Sequence, residues 1–413
     1  MCVGLTNLEF RQRTPGLDVN LLPPGRAHGF SSGANRIKSR KMSITRSLIK
    51  LPVEIDPIAF VPNADIYDLD RAPYLWNVDG IVIDKHTNIW GWCLPHGGRS
   101  DNTQIVINGR SFNPVRTSPK GAYAELYPWH PNAALAAFTL QISHQVFDIR
   151  NVPEISLSCL AKADCGEDAG YTLDLLIADL DFVMPPQDVA ARIGAADLLH
   201  YVMFGRAIYR GFDKALQKKF GKSFSEFSTI VDWGCGSARV ARHVTKALKR
   251  TANFVGFDID AVAIEWANKN VGPYFRLCKT NPPLEQATAT VDVVYSYSVL
   301  THLAAETLAI WVEEMARILK PGGIGLFTVL SDRAMIALQS GLARPALEAW
   351  RSTGIFDSMS NLDIKALDVP VDYYRNVWLT RNYISKIFGE RFEIVDFIGS
   401  FHFYQDLVIV RRR

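Results

Sequence analysis

Hydrophobic positions along this chain follow three successive patterns, and each predicts a different architecture. Between about 75 and 182 they come in short runs bounded by turn residues. The runs are Gly80-Ile81-Val82-Ile83, Ile89-Trp90-Gly91-Trp92, Gln104-Ile105-Val106-Ile107, Ala137–Ile142 and Glu154-Ile155-Ser156-Leu157. Short strands at this spacing predict an antiparallel β-sandwich, and Asn108-Gly109 predicts a tight hairpin within it. Pro185-Pro186 marks a linker, and Val189 to about Phe220 reads as helix. From residue 226 onward, apolar strand runs alternate with helical segments. In the segment Ala304–Leu319, Leu308, Trp311, Val312, Met315 and Ile318 recur at helical spacing, and Ile324–Leu330 follows as a strand.

The most informative local pattern is Ile230-Val231-Asp232-Trp233-Gly234-Cys235-Gly236-Ser237-Ala238-Arg239-Val240, an apolar strand running into an acid, a glycine turn and a helix start. Glycines let the backbone turn sharply and approach a ligand, and the N–H groups of the following helix face that ligand. Asp258 ends a second strand, Asn253–Phe257, 24 residues after Gly234, near the spacing at which an acid meets the hydroxyls of a ribose. A pyrophosphate fingerprint would place glycine at 239, where this chain has arginine, so a dinucleotide fits poorly. Asp232 suits a ligand carrying a cationic amino group, as S-adenosylmethionine does. A lone Gly-x-Gly is more often an ordinary turn, and Asp258 alone could cap a helix, although Asp260 fills that role better.

Residues 195 to 413 resemble the class I S-adenosylmethionine-dependent methyltransferases. The resemblance extends through Asn281-Pro282-Pro283-Leu284 and Val291–Leu303, similar to that family's third and fourth strands with their loops, and through Leu319-Lys320-Pro321-Gly322-Gly323 before the fifth. Phe392–Ile398 and Asp406–Val410 look like its terminal antiparallel pair. Ala238 departs from the pattern, standing where the family often has a third glycine. The resemblance implies an α/β fold with a seven-stranded Rossmann-like sheet and S-adenosylmethionine as cofactor, held by Asp232, Gly234, Cys235, Gly236, Asp258, Ile259, Asn281, Tyr295 and Ser296. Asp292 divides evenly between a structural and a cofactor-side role.

For the acceptor, His302 after the fourth strand is the first candidate general base, weighed against a packing role, and His402 in the last loop is the second. Tyr373, Tyr374 and Arg206 are candidate substrate contacts. Tyr201 and Phe204, on the helix before the first strand, read as core. The stretch Trp90–Pro95 and the stretch Tyr127–Ala133 are similar to immunoglobulin-like modules beside glycan-modifying bacterial enzymes. Trp90, Trp92 and Trp129 could stack on sugars, although tryptophans in a sandwich more often fill its core.

Composition trims these readings. At 413 residues the chain needs more than one core, and 48% hydrophobic residues can fill it. The expected division is a disordered basic tail over 1–50, an immunoglobulin-like β-sandwich over 75–182, linker and helices over 183–225 and a methyltransferase domain over 226–413. Met42 offers a shorter start. A net charge of +3 implies no nucleic-acid surface. The six cysteines show no metal-ligand spacing, which points to no metal and to a reducing cytoplasm. No apolar run is long enough for a membrane span.

The expected function is methylation of a hydroxyl on a saccharide or related small metabolite, with the sandwich, set apart as its own N-terminal domain, contacting glycan or a partner protein. Methylation of an amine or protein side chain, and an inactive glycan-binding scaffold, are the alternatives.

Overall fold

The computed structural model describes residues 75–83, 85–94, 103–116, 123–124, 127, 130, 133–161, 173–176, 183–193, 198–331, 334–335, 344–358 and 373–413. The tail expected over 1–50 and Trp129 lie outside them.

The N-terminal part holds β1 (Leu75–Ile83), β2 (His86–Leu94), β3 (Thr103–Ile107), β4 (Arg110–Phe112), β5 (Val115–Arg116), β6 (Ala137–Ser143), β7 (Glu154–Ala161) and β8 (Leu173–Leu176). They pair antiparallel into two sheets, β1-β2-β6-β5 and β4-β3-β7-β8. Burial alternates along β3, with Thr103, Ile105 and Ile107 inside, which is the period of a strand with one covered face. Asn108 and Gly109 both take positive φ (48° and 79°) between the paired Ile107 and Arg110, the hairpin that Asn-Gly predicts. Trp92 is buried and stacks on Tyr127 at 5.6 Å, while the Trp90 ring lies over Gly80, where an added Cβ would come within 2.0 Å of it. Packing therefore accounts for both tryptophans.

Helix α1 (Gln187–Ala191) precedes the long α2 (Leu198–Phe220), so the single helix expected from Val189 is two, with a turn at Arg192-Ile193. There follow β9 (Thr229–Trp233), α3 (Ala241–Ala247), β10 (Asn253–Asp258), α4 (Ala261–Asn270), β11 (Phe275–Leu277), β12 (Val291–Ser296), α5 (Ala305–Ile318) and β13 (Leu319–Leu330). Next come α6 (Arg344–Thr353), β14 (Ile355–Ser358), β15 (Asn376–Leu379), α7 (Arg381–Gly389), β16 (Phe392–His402) and β17 (Gln405–Arg412).

Strands β11-β10-β9-β12-β13 run parallel in that order, and the antiparallel β17-β16 pair continues the sheet beyond β13. These are the seven strands expected, but the sheet has nine. β15 pairs with the last residue of β13 and with β14, so the segment between β13 and α7 contributes two strands of its own. The third strand is β11; Asn281–Leu284 lies in the loop after it.

Both faces of the sheet are covered, as parallel strands require. Val231, Trp233, Phe257, Val294 and Phe327 pack with Trp311 of α5 and Phe388 of α7. On the other face, Ile230, Val293, Tyr295 and Leu326 join Tyr201, Ile208 and Phe212 of α2. That cluster runs without a break into Trp76, Ile105, Phe138 and Leu157 of the N-terminal sheets. Glu154 of β7 reaches Arg206 and Arg210 of α2, and Tyr127 hydrogen-bonds Tyr404 at 2.6 Å. Among the described residues no helix is long and apolar enough to cross a membrane.

Candidate active site

The carboxyl ends of β9, β10 and β12 converge on the glycine loop. Gly234, Gly236 and Ala238 all have positive φ, at 83°, 51° and 62°. A Cβ on Gly234 would come within 2.1 Å of Val299, and one on Gly236 within 2.7 Å of Ile193, so glycine is needed at both for space as well as for conformation. The N–H groups of Gly234 and Cys235 donate to the Phe257 carbonyl (2.7 and 3.1 Å), tying the loop to β10, and the Tyr201 hydroxyl donates to the Ser237 carbonyl at 2.6 Å. Regular helix begins only at Ala241, so the loop's own backbone, rather than a helix end directly after the glycines, faces the cleft.

Asp258 ends β10 fully buried, and its carboxylate accepts from Gly236 N (2.7 Å) and Asp260 N (2.9 Å). Each oxygen keeps lone pairs for a hydroxyl donor, and burial raises the pKa of this carboxyl. Asp260 caps α4 by accepting from Val262 N and Ala263 N and also pairs with Arg192, which leaves Asp258 out of the capping role. Asp232 accepts from the Tyr295 hydroxyl at 2.8 Å. Burial pushes its carboxyl up to about 8; the Tyr295 bond opposes this and the Asp258 charge adds to it. Tyr295 is itself raised well above the usual phenol range by burial and by Asp232.

The remaining candidates divide. Cys235 is buried, and its thiol is pushed up by burial and the neighbouring carboxylates, so it stays protonated. Ile259 is half-buried between Asp258 and Asp260, and Asn281 is exposed in the loop after β11. Ser296, at the end of β12, and Ser237, in the loop, are fully buried, with hydroxyls that have no hydrogen-bond partner among the described residues. Asp292 binds Ser228 N, Thr229 N and Lys320 at the opposite end of β12, a structural role.

His302 follows β12 in a short 3-10 turn and is buried. Its Nδ1 lies 2.7 Å from the Arg375 carbonyl, which can only accept, so Nδ1 carries the proton and Nε2 keeps its lone pair. The ring stacks on Tyr374 at 4.1 Å and 14°, and Nε2 lies 3.5 Å from the Ser298 hydroxyl, to which Gln405 also donates (2.9 Å). The structure thus brings His302 and Tyr374 together.

It removes three other residues from their expected places. His402 is the last residue of β16 rather than a loop residue, because the turn to β17 is only Phe403-Tyr404. It is buried against Phe204 and Phe403, shares a 2.7 Å hydrogen bond with Tyr297, and is held neutral by burial and the Arg239 charge. The Tyr373 hydroxyl donates to the Thr280 carbonyl (2.7 Å) on the loop after β11, which ties it to the cofactor side. Arg206 is engaged by Glu154 at 2.9 Å, holding the N-terminal sheets to α2 instead of facing an acceptor. Sequence reading missed Ser298, Gln405 and Arg239, whose positions depend on contacts between distant segments.

Residues 230–323 match the family model described as "Methyltransferase domain". Among solved structures, the chain is similar to a protein of Pyrococcus horikoshii at 16% identity, over 52% of this chain and 95% of that one, with a TM-score of 0.37. It is similar to a S-adenosylmethionine-dependent methyltransferase of Methanosarcina mazei at 16% identity, over 45% and 93%, with a TM-score of 0.35. It is also similar to the 1,6-didemethyltoxoflavin-N1-methyltransferase of Burkholderia thailandensis at 14% identity, over 60% and 98%, with a TM-score of 0.35. The chain carries a methyltransferase domain over residues 230–323.

Proposed function

We propose that this enzyme methylates a hydroxyl group of a small polar acceptor, of saccharide or related metabolite type, with His302 as general base. The donor set fits the cofactor: Asp258 has lone pairs for the ribose hydroxyls, Asp232 is a buried acid for the amino group, and the Ser237 and Ser296 hydroxyls are open to bonding. S-adenosylmethionine supplies an electrophilic methyl carbon on a sulfonium.

Such a displacement needs alignment and exclusion of water, and a hydroxyl acceptor must also lose its proton. The His302 Nε2 would take that proton as the new O–C bond forms and the C–S bond breaks. The observation behind this assignment is the 2.7 Å bond from His302 Nδ1 to the Arg375 carbonyl, which fixes the tautomer with Nε2 as the basic atom. Tyr374 stacked on the ring limits its rotation. In this reading the N-terminal sheets shape the acceptor side through Tyr127 and Tyr404.

The test is incubation with methyl-labelled donor and fractionated glycan and metabolite extracts from the native source, followed by identification of the labelled product. Label in a hydroxyl of a small molecule or saccharide is expected, and label only in protein or in amines would reject the reading. With the acceptor in hand, His302→Ala should lower turnover by about 100-fold or more while donor affinity is kept. A loss of less than about tenfold would leave placement as the main catalytic factor and remove His302 as base.

A further inference from the structure

Arg239 follows the glycine loop and is only 4% exposed. Its backbone and Cγ press on Gly205 of α2, where an added Cβ would come within 2.3 Å of the Arg239 carbonyl and 2.9 Å of its Cγ. The guanidinium carbon stands 5.6 Å from the centre of the Tyr297 ring, and its charge is felt at both Tyr201 and His402. Among the described residues the Tyr297 ring is the guanidinium's only partner. Of the other arginines on these elements, Arg192 pairs with Asp260 and Arg206 with Glu154, while Arg242 donates to the Val183 carbonyl and stands over the Tyr201 and Trp266 rings. Asp406 is committed elsewhere, accepting from the Ser331 hydroxyl and from Ser400 N.

A guanidinium does not give up its proton, and burying its charge without a counter-ion costs more than a cation–π contact returns. We propose that Arg239 is the binding site for an anionic group, a carboxylate or a phosphate, presented by a ligand beside Tyr297 and His402. The planar fork of the guanidinium matches either group through two parallel N–H bonds. His402 is held neutral, so it adds no second charge, and the guanidinium carbon stands over the Tyr297 ring. Two sources carry this chemistry: the amino-acid carboxylate of the donor, for which Asp232 would take the ammonium, and an acidic acceptor. The first source rests on the cofactor reading above; the second does not.

Calorimetry with wild type, Arg239→Gln and Arg239→Lys would compare S-adenosylhomocysteine with 5′-methylthioadenosine, which lacks the amino-acid end. Thermal shift would follow inorganic phosphate and acetate. A fall of ~10-fold or more in S-adenosylhomocysteine affinity in Arg239→Gln, with 5′-methylthioadenosine unchanged, supports the site and assigns it to the donor. Unchanged binding of both adenosyl ligands, with the stabilisation by phosphate or acetate lost in Arg239→Gln, supports it and assigns it to the acceptor. Equal weakening of both adenosyl ligands, or no difference in any arm, overturns it.

Arg239→Met guards against a packing role. Removing an unpaired buried charge should leave the melting temperature of the unligated protein no lower than wild type, and a drop in both Arg239→Met and Arg239→Lys would also overturn the proposal. A wild type that binds neither adenosyl ligand yet shows an Arg239-dependent anion shift would sink the cofactor reading and keep this one.

Discussion

Asp232 shows how much of the site turns on single side chains. Its carboxyl has a folded pKa of about 8 against 3.8 when unperturbed, chiefly because it is buried. Proton binding therefore favours the folded state, and this group's contribution to stability is complete below 3.8 and lost as pH rises through about 8. Thermal melts at constant ionic strength should show this part of the pH slope vanish in Asp232→Asn; an unchanged slope would contradict the assignment. A ligand ammonium would favour the ionised form, so cofactor binding below pH 8 should release a proton, readable by calorimetry in buffers of differing ionisation enthalpy.

Ala238 is a second case, an alanine held at φ 62° where glycine would relax. Left-handed backbone costs a non-glycine residue ~1–2 kcal/mol, partly offset by the greater unfolded-state freedom of glycine, so Ala238→Gly should be neutral or stabilising by up to ~1 kcal/mol in denaturant melts. A loss of stability would show that the methyl group packs usefully. The acids, the glycines and the departure at Ala238 were legible because each sits next in sequence to what it acts on. Arg239, directly beside them, was not: nothing local distinguishes a buried arginine from a solvated one.

At the level of elements, short-range signals carried furthest. Asp260 caps α4 as its place before Ala261 predicted, and Asp260→Ala should cost ~1–2 kcal/mol from the lost cap, measurable as a lower denaturation midpoint. An unchanged midpoint would mean that solvent or a neighbour replaces the cap. The Asn-Gly hairpin likewise formed where expected.

The two strands after β13 were not legible because β14 and β15 have only four residues each, too few to show a period, and their pairing with each other and with Leu330 is a long-range event. The β16–β17 turn was legible as a turn but not as buried. Ser400 and Phe403 take positive φ there, and Tyr404 is covered by Tyr127 from a segment far away in sequence. Tyr127→Phe should cost roughly 1–3 kcal/mol by leaving the buried Tyr404 hydroxyl without its bond.

Across the whole molecule, the two sheet systems share one apolar cluster. Continuity of this kind rests on burial rather than on charge, since the Glu154 pairs with Arg206 and Arg210 are partly exposed. The hydrophobic pattern marks a strand-rich stretch followed by alternating strands and helices but could not show that α2 packs with both. One face of α2 meets the large sheet, while Arg206 and Arg210 on the same helix reach back to β7.

The cofactor reading of the glycine loop, on which the proposed methyl transfer stands, depends on Asp258 receiving a ribose. Calorimetric titration of S-adenosylhomocysteine into wild type and Asp258→Ala tests this most directly. Saturable one-to-one binding by wild type, weakened by ~1–3 kcal/mol in Asp258→Ala, is the expected result. Wild-type protein that binds no adenosyl ligand, or equal affinities for the two proteins, would contradict it.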